Sequence, residues 1–212
     1  MVIYLMDEEW DSFLEPYEQA VGELKLKLRT LRSQYKKANN RSPIEYVTGR
    51  VKPVSSVLEK MHRRRIKKKR LEQDMEDIAG IRIMCQFVED IYYVVDLLRK
   101  RKDMQVLEER DYIKMHKESG YRSYHIVIDY PIQFMEQEKH LKVEIQIRTL
   151  AMNFWATIEH SLNYKYQGKI PPDIALRLER SAEMVFALDK EMSSIREEVN
   201  EAQCLFEDKK YL

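Results

Sequence analysis

Two carboxylates and a line of cations carry most of the chemical potential of this sequence. Asp77 lies just before an apolar run that starts at Ile81, and Glu144 interrupts another between Val143 and Ile147. Either acid alone reads equally well as a solvent-facing strand residue. Together on one polar sheet face they suit a divalent metal, because Mg²⁺ takes one or two carboxylates and fills its shell with waters and substrate phosphates. The same pair can support general-base activation of a hydroxyl. Upstream, Arg50, Lys52, Ser56, Lys60 and Arg63 follow at intervals of two, four, four and three, so the last four can share a helix face turned to a polyphosphate. Cationic side chains would then replace a glycine loop, since the five glycines, at 22, 49, 80, 120 and 168, are too scattered for a Walker loop or a dinucleotide fingerprint. Tyr121, beside Gly120, falls on the polar side with Ser123 and His125, where an aromatic ring can stack on a base. His125 and His160 read first as ordinary hydrogen-bonded histidines, and His62, His116 and His140 carry no specific signal.

These groups need a scaffold, and hydrophobic periodicity supplies one. Leu14, Tyr17, Val21, Leu24, Leu28, Leu31 and Tyr35 alternate steps of three and four, the seam of a long amphipathic helix. Asn39, Asn40 and Ser42-Pro43 are expected to stop it and open another helix. A second seam, Val185, Leu188, Met192, Ile195, Val199, Ala202 and Phe206, follows the Pro171-Pro172 break. Between the seams the period is two. Ile81, Ile83, Cys85 and Phe87 form the first alternation, Tyr124, Ile126, Ile128 and Tyr130 the second, flanked by Tyr121, Ser123 and His125, and Val143, Ile145 and Ile147 the third. Residues 89–102 read as a helix, and Val106 to Tyr112 as a weaker strand. The expected fold is an α/β (α+β) mixed sheet backed by helices, with a polar cleft on its open face.

Composition narrows the class. A chain of 212 residues holds one well-buried domain with accessory helices, and 34% charged residues with only five glycines and six prolines suit a helix-rich globule. A net charge of +1 supplies no bulk attraction to nucleic acid or membrane, although Lys60 to Arg70 reads KMHRRRIKKKR. Such a run is more often a solvated helix face than a site. With Cys85 and Cys204 the only cysteines, a disulfide framework is not expected. Neither a signal peptide nor a membrane span is evident, which makes the cytoplasm the expected compartment.

The strings EYVTGRVKPVSSVLEK, MEDIAGIRIMCQF, HKESGYRSYH and VEIQIRTLAMNFWATIEHSLNYKY, in this order and spacing, resemble the small alarmone synthetases, single-domain relatives of the bifunctional Rel/SpoT enzymes. The likeness spans about residues 10 to 205. It implies a nucleotidyltransferase-like fold in one domain over 1–212: an N-terminal helix at about 7–40, a catalytic core at 41–168 and a C-terminal helical segment at 171–210. It implies Mg²⁺-dependent transfer of a pyrophosphoryl group from ATP to the 3′-hydroxyl of GDP or GTP, with GMP a third acceptor. In that role Arg50 and Arg82 would sandwich adenine, while Lys52, Ser56, Lys60 and Arg63 would hold the ATP phosphates. Asp77 and Glu144 would bind the metal, Glu144 serving also as base; Tyr121 would stack on guanine, with Arg110, Lys117, His125, Gln146 and Asn153 lining the acceptor pocket.

No histidine here is followed by aspartate, so the His-Asp dipeptide of the family's hydrolase domain is missing and synthesis without degradation is expected. The resemblance also implies a homotetramer activated by its own product in a cleft matched by Lys25, Arg29, Tyr46 and Thr48. Arg29 and Tyr46 stand where close relatives carry Lys and Phe, which keeps charge and stacking. The cations from Arg64 to Arg70 exceed the family motif and are unassigned. Two other readings compete: an RNA-directed nucleotidyltransferase, whose usual Gly-Ser step and Asp-x-Asp pair are absent, and a single-stranded RNA-binding protein gripping phosphates through the basic run.

Overall fold

The computed structural model describes residues 2–39, 41–166 and 170–208, with side chains placed for 9–39, 41–163, 166 and 170–203. Cys204, Phe206 and Gly168 lie outside the described side chains. Helix α1 (Val2–Asn39) is followed by strand β1 (Tyr46–Val51), α2 (Val54–Arg64), a short 3-10 turn (Lys68–Arg70) and α3 (Leu71–Asp74). Then come β2 (Ala79–Cys85), α4 (Val88–Arg99), β3 (Gln105–Asp111), β4 (Tyr124–Phe134), β5 (Gln137–Thr149), α5 (Leu150–Lys165) and α6 (Pro172–Asp208). The five strands form one mixed sheet in the order β1-β2-β5-β4-β3, in which only the central β2–β5 pair runs parallel.

The period-two runs become β2, β4 and β5, and their apolar faces form the core. Ile81, Ile83, Ile126, Ile128, Val143, Ile145 and Ile147 are fully buried, and Tyr17, Val21, Leu24 and Leu28 of the α1 seam pack into the same cluster. Removing this surface from water at roughly 25 cal/mol per Å² is the main stabilising term. Two sequence expectations fail here. Ser42-Pro43 leads into a strand, β1, rather than a helix, and α2 starts only after Pro53. The β-branched and glycine-containing string YVTGRV pairs with β2 from Tyr46↔Met84 to Val51↔Ala79, so tertiary pairing overrides the helical reading. The strand β4 also begins at Tyr124, leaving Tyr121 and Ser123 in the preceding loop.

The second seam forms a helix, α6, in which Val185 packs on the Trp155–Ala182 cluster but the residues from Leu188 to Val199 do not face the core. Leu188, Met192, Ile195 and Val199 are 55, 46, 43 and 50% exposed. The helix docks through a different face: Trp155 Nε1 donates to Ser181 Oγ at 2.9 Å, and the Arg122 guanidinium lies 4.3 Å from the Phe186 ring while donating to Glu183 at 2.8 Å. Further along, Thr149 Oγ1 donates to Asp189 Oδ2 at 2.7 Å while accepting from Met152 N as the N-cap of α5.

Gly120 adopts φ +83°, and a Cβ there would stand 2.6 Å from Ala182 Cβ. Gly120→Ala should therefore lower unfolding free energy by about 1–3 kcal/mol in urea titrations. Burial foremost, with Glu89 adding and the Thr149 hydrogen bond opposing, pushes the Asp189 carboxyl up from 3.8 to about 6. Between those values the folded chain keeps a proton that the unfolded chain has released, so this group's penalty is absent near pH 4 and complete above pH 6, at about 3 kcal/mol. Asp189→Asn should raise Tm above pH 6 and lose that advantage on acidification; a gap independent of pH would refute the assignment.

Candidate active site

The register of the sheet assembles the polar face in rows. Because paired residues point to the same side, Thr48, Arg82, Gln146, His125 and Arg110 form one row across all five strands. Arg50, Gly80, Glu144 and Val127 form the next row. Gly80 leaves open space opposite Glu144, where its missing Cβ would meet nothing closer than Arg50 O at 3.8 Å. The result is a recess of about 280 Å³ lined by Thr48, Arg50, Lys52, Asp77, Arg82, Glu144 and Gln146. It continues into a second, of about 560 Å³, reached by Lys60, Arg63, Arg110, Lys117, Tyr121, His125 and Arg148. Both lie in the size class of small-molecule sites.

Asp77 is gripped by two ammonium groups, Lys52 Nζ at 2.8 Å and Lys60 Nζ at 2.7 Å. Burial would raise its pKa, but these two hydrogen bonds and charges prevail and hold the carboxyl below its ordinary value. Glu144 behaves alike: burial opposes ionisation, and hydrogen bonds from His125 Nδ1 at 3.1 Å and Gln146 Nε2 at 2.7 Å outweigh it. Burial, with Arg148 and Lys117 adding, lowers the pKa of His125 against the pull of Glu144. Two ionised carboxylates thus face one cleft as hard oxygen donors, a set that fits a divalent cation completed by phosphate oxygens and water.

Most of the sequence-predicted residues meet here, with exceptions. Lys52 is not on the helix with Ser56, Lys60 and Arg63; it extends the β1–β2 ladder through Lys52 N to Ile78 O at 2.8 Å. Pro53 separates it from α2, and the two lysines converge only because Asp77 lies between them. Ser56 and Asn153 are not among the residues lining either recess, although Asn153 Oδ1 lies 3.5 Å from Arg148 Nη1. Arg110 is held by Glu76 at 2.9 Å and by Glu108. Lys25 and Arg29 flank the β1 edge from α1, Arg29 donating to Val47 O at 3.4 Å, whereas Thr48 opens into the first recess. Arg64, unassigned from sequence, lines the second recess, while Lys67, Lys68 and Lys69 are exposed.

Sequence reasoning missed Arg148. It alternates with Glu144 and Gln146 in the third apolar run, and that parity was the available signal. Its guanidinium, 5.1 Å from the Tyr121 ring centroid, joins the loop before β4 to the strand that carries Glu144.

Residues 49–169 match the model of a region found in RelA / SpoT proteins. Over 204 residues the chain is 60% identical to the GTP pyrophosphokinase YjbM of Bacillus subtilis, covering 96% of each chain. It superposes on the crystal structure of small alarmone synthetase 1 from Bacillus subtilis bound to its product pppGpp with a TM-score of 0.87 at 60% identity, covering 91% of this chain and 98% of that one. The AMPCPP-bound structure of the same synthetase gives a TM-score of 0.80 at 57% identity, covering 92% and 99%. With the family model matching over strands β2 to β5 and the likeness running through both long helices, the chain belongs to the RelA/SpoT synthetase family, among its small alarmone synthetases.

Proposed function

We infer that this chain is a GTP pyrophosphokinase, moving the β,γ-pyrophosphoryl group of ATP to the 3′-hydroxyl of GDP or GTP to give ppGpp or pppGpp and AMP. The observation that carries the reading is the meeting of Asp77 and Glu144 in one cleft, between the Lys52 and Lys60 pair and the cluster of Tyr121, His125 and Gln146.

In this assignment ATP occupies the recess at Arg50 and Arg82, whose planar guanidinium groups suit stacking on adenine. Its phosphates are taken by Lys52, Lys60 and Arg63, with Ser56 at the periphery. Incoming phosphates compete with Asp77 for the two ammonium groups and release carboxylate oxygens toward the cleft. Mg²⁺ held by Asp77 and Glu144 would supply neutralisation of phosphate charge. The acceptor lies against Tyr121, with Arg110, Lys117, His125 and Gln146 around it and Asn153 behind Arg148. Glu144 takes the proton of the 3′-hydroxyl as its oxygen bonds to the β-phosphorus. The bond from that phosphorus to the oxygen bridging toward the α-phosphorus breaks, and AMP leaves. Positioning and electrostatics contribute most of the acceleration in such transfers.

The proposal extends to a homotetramer activated by product at Lys25, Arg29, Tyr46 and Thr48. Support comes from exposed apolar residues on α5 and α6: Phe154 on α5 is 63% exposed, and on α6 Met184, 67% exposed, continues the outward residues Leu188, Met192, Ile195 and Val199. The single-stranded RNA reading rests on the basic run alone and leaves the carboxylate pair without a role, whereas the RNA-directed nucleotidyltransferase would use the same carboxylates but lacks its Gly-Ser step and Asp-x-Asp pair.

Asp77→Ala and Glu144→Ala should each lower transfer by about 10³-fold or more, with Tm little changed, in an assay resolving AMP and (p)ppGpp from ATP and GDP or GTP. Lys60→Met and Arg63→Met should raise KM for ATP about tenfold, while neutralising Lys67 to Lys69 should change it less than about twofold. Wild-type turnover in either carboxylate variant would refute the site. For the assembly, light scattering should give a tetrameric mass, and added product should shorten the lag of the progress curve in wild type but not in a Lys25→Ala, Tyr46→Ala double variant.

A further inference from the structure

Arg148 is 5% exposed, and its hydrogen bonds all go to uncharged groups. Nε points to Ser123 Oγ at 3.3 Å and Nη1 to Asn153 Oδ1 at 3.5 Å. Nη2 serves two acceptors, Tyr121 Oη at 2.5 Å and Gln146 Oε1 at 2.8 Å. Burying a guanidinium in this way is costly, and its neighbours would be satisfied by smaller polar groups. Its distinguishing property is that it can only donate.

That property sets the direction of two hydrogen-bond paths that both end on Glu144. Along the first, Tyr121 Oη accepts from Arg148, and its single hydrogen turns to His125 Nε2 at 2.8 Å. Nε2 then accepts, so the neutral ring carries its hydrogen on Nδ1 and donates it to Glu144 Oε1 at 3.1 Å. The opposite tautomer would leave Nδ1 and the carboxylate facing each other as two acceptors. Along the second path, Gln146 Oε1 accepts from Arg148 and from Arg82 Nε at 3.3 Å. This fixes the amide so that Nε2 donates to Glu144 Oε2 at 2.7 Å.

We propose that Arg148 is a positioning residue that, without touching Glu144, sets the donor to each of its two oxygens. The proposal rests on the reading of Glu144 as acceptor of the 3′-hydroxyl proton. Each Glu144 oxygen is held by one donor and keeps a lone pair for the cleft, so the carboxylate is oriented before substrate arrives. Since the paths begin at a group that cannot accept, a proton taken by Glu144 cannot pass back along them. They orient the base and do not drain it.

The direct test is ¹⁵N imidazole NMR of the full-length wild type, which should show His125 as the Nδ1–H tautomer, and of Arg148→Met, which should show that preference weakened, since Glu144 still favours it while Tyr121 is freed to donate elsewhere. Steady-state kinetics should give Arg148→Met a kcat about 10²-fold lower, with KM for ATP changed less than about threefold. Arg148→Lys should restore kcat only in part, because one donor-only ammonium can serve Tyr121 and Gln146, which share Nη2, but not also Ser123 and Asn153, which the planar fork reaches through Nε and Nη1. His125→Asn, whose amide nitrogen mimics Nδ1–H, should exceed His125→Gln in kcat by about tenfold or more. An Nε2–H tautomer in wild type, kcat within about threefold of wild type in Arg148→Met, or a Gln variant equal to the Asn variant would overturn the proposal. A wild type that transfers no pyrophosphoryl group would overturn the reaction assignment instead, leaving the tautomer measurement to decide the hydrogen-bond paths.

Discussion

The parallel pairing of β2 with β5 is the constraint on which the rest of the molecule depends. It places Gly80 opposite Glu144 and Arg82 opposite Gln146, and every other strand builds outward from that pair. Side chains alternate with period two, so a slip of one residue would send Ile145 and Ile147 to the cleft and Glu144 to the core. The apolar face thereby enforces the polar one. Ile81, Ile83, Val143, Ile145 and Ile147 tolerate only one register because α1 and α4 close over them, and that register aligns the polar rows.

Electrostatics decides what those rows can do. Cations outnumber acids around the cleft, and three of its acids are engaged from within it: Asp77 by Lys52 and Lys60, Glu144 by His125 and Gln146, Glu76 by Arg110. Desolvation strengthens each pairing, since partially buried charges are screened less than surface ones. Asp77 and Glu144 therefore stay ionised in a setting that would otherwise favour their neutral form. The surface pair between Lys68 and Glu9, 59 and 63% exposed, belongs to another regime and contributes little.

The long C-terminal helix adds a second level. It seats against Gly120, Arg122 and Trp155 beside the loop that carries Tyr121, and against the Thr149 cap where β5 turns into α5. Leu178, Ala182, Val185 and Phe186 supply the apolar part of this docking face, while Met184, Leu188, Met192, Ile195 and Val199 point outward. The same helix is thus tied to the Tyr121 side of the cleft and presents an exposed apolar stripe.

Much of this was legible in the primary structure. The period-two runs declared β2, β4 and β5, the steps of three and four declared α1 and α6, and the ordered motifs declared the family, because local side-chain alternation and spacing are written residue by residue. Tertiary structure alone decided that YVTGRV pairs as an edge strand, that Lys52 and Lys60 converge on Asp77 from a strand end and a helix, and that the Leu188 to Val199 seam faces outward. It also decided that Arg148 governs the surroundings of Glu144. The physical reason is common to all four. Each depends on which groups far apart in the chain compete for the same neighbour, and periodicity gives the face on which a residue lies without giving the partner it meets there.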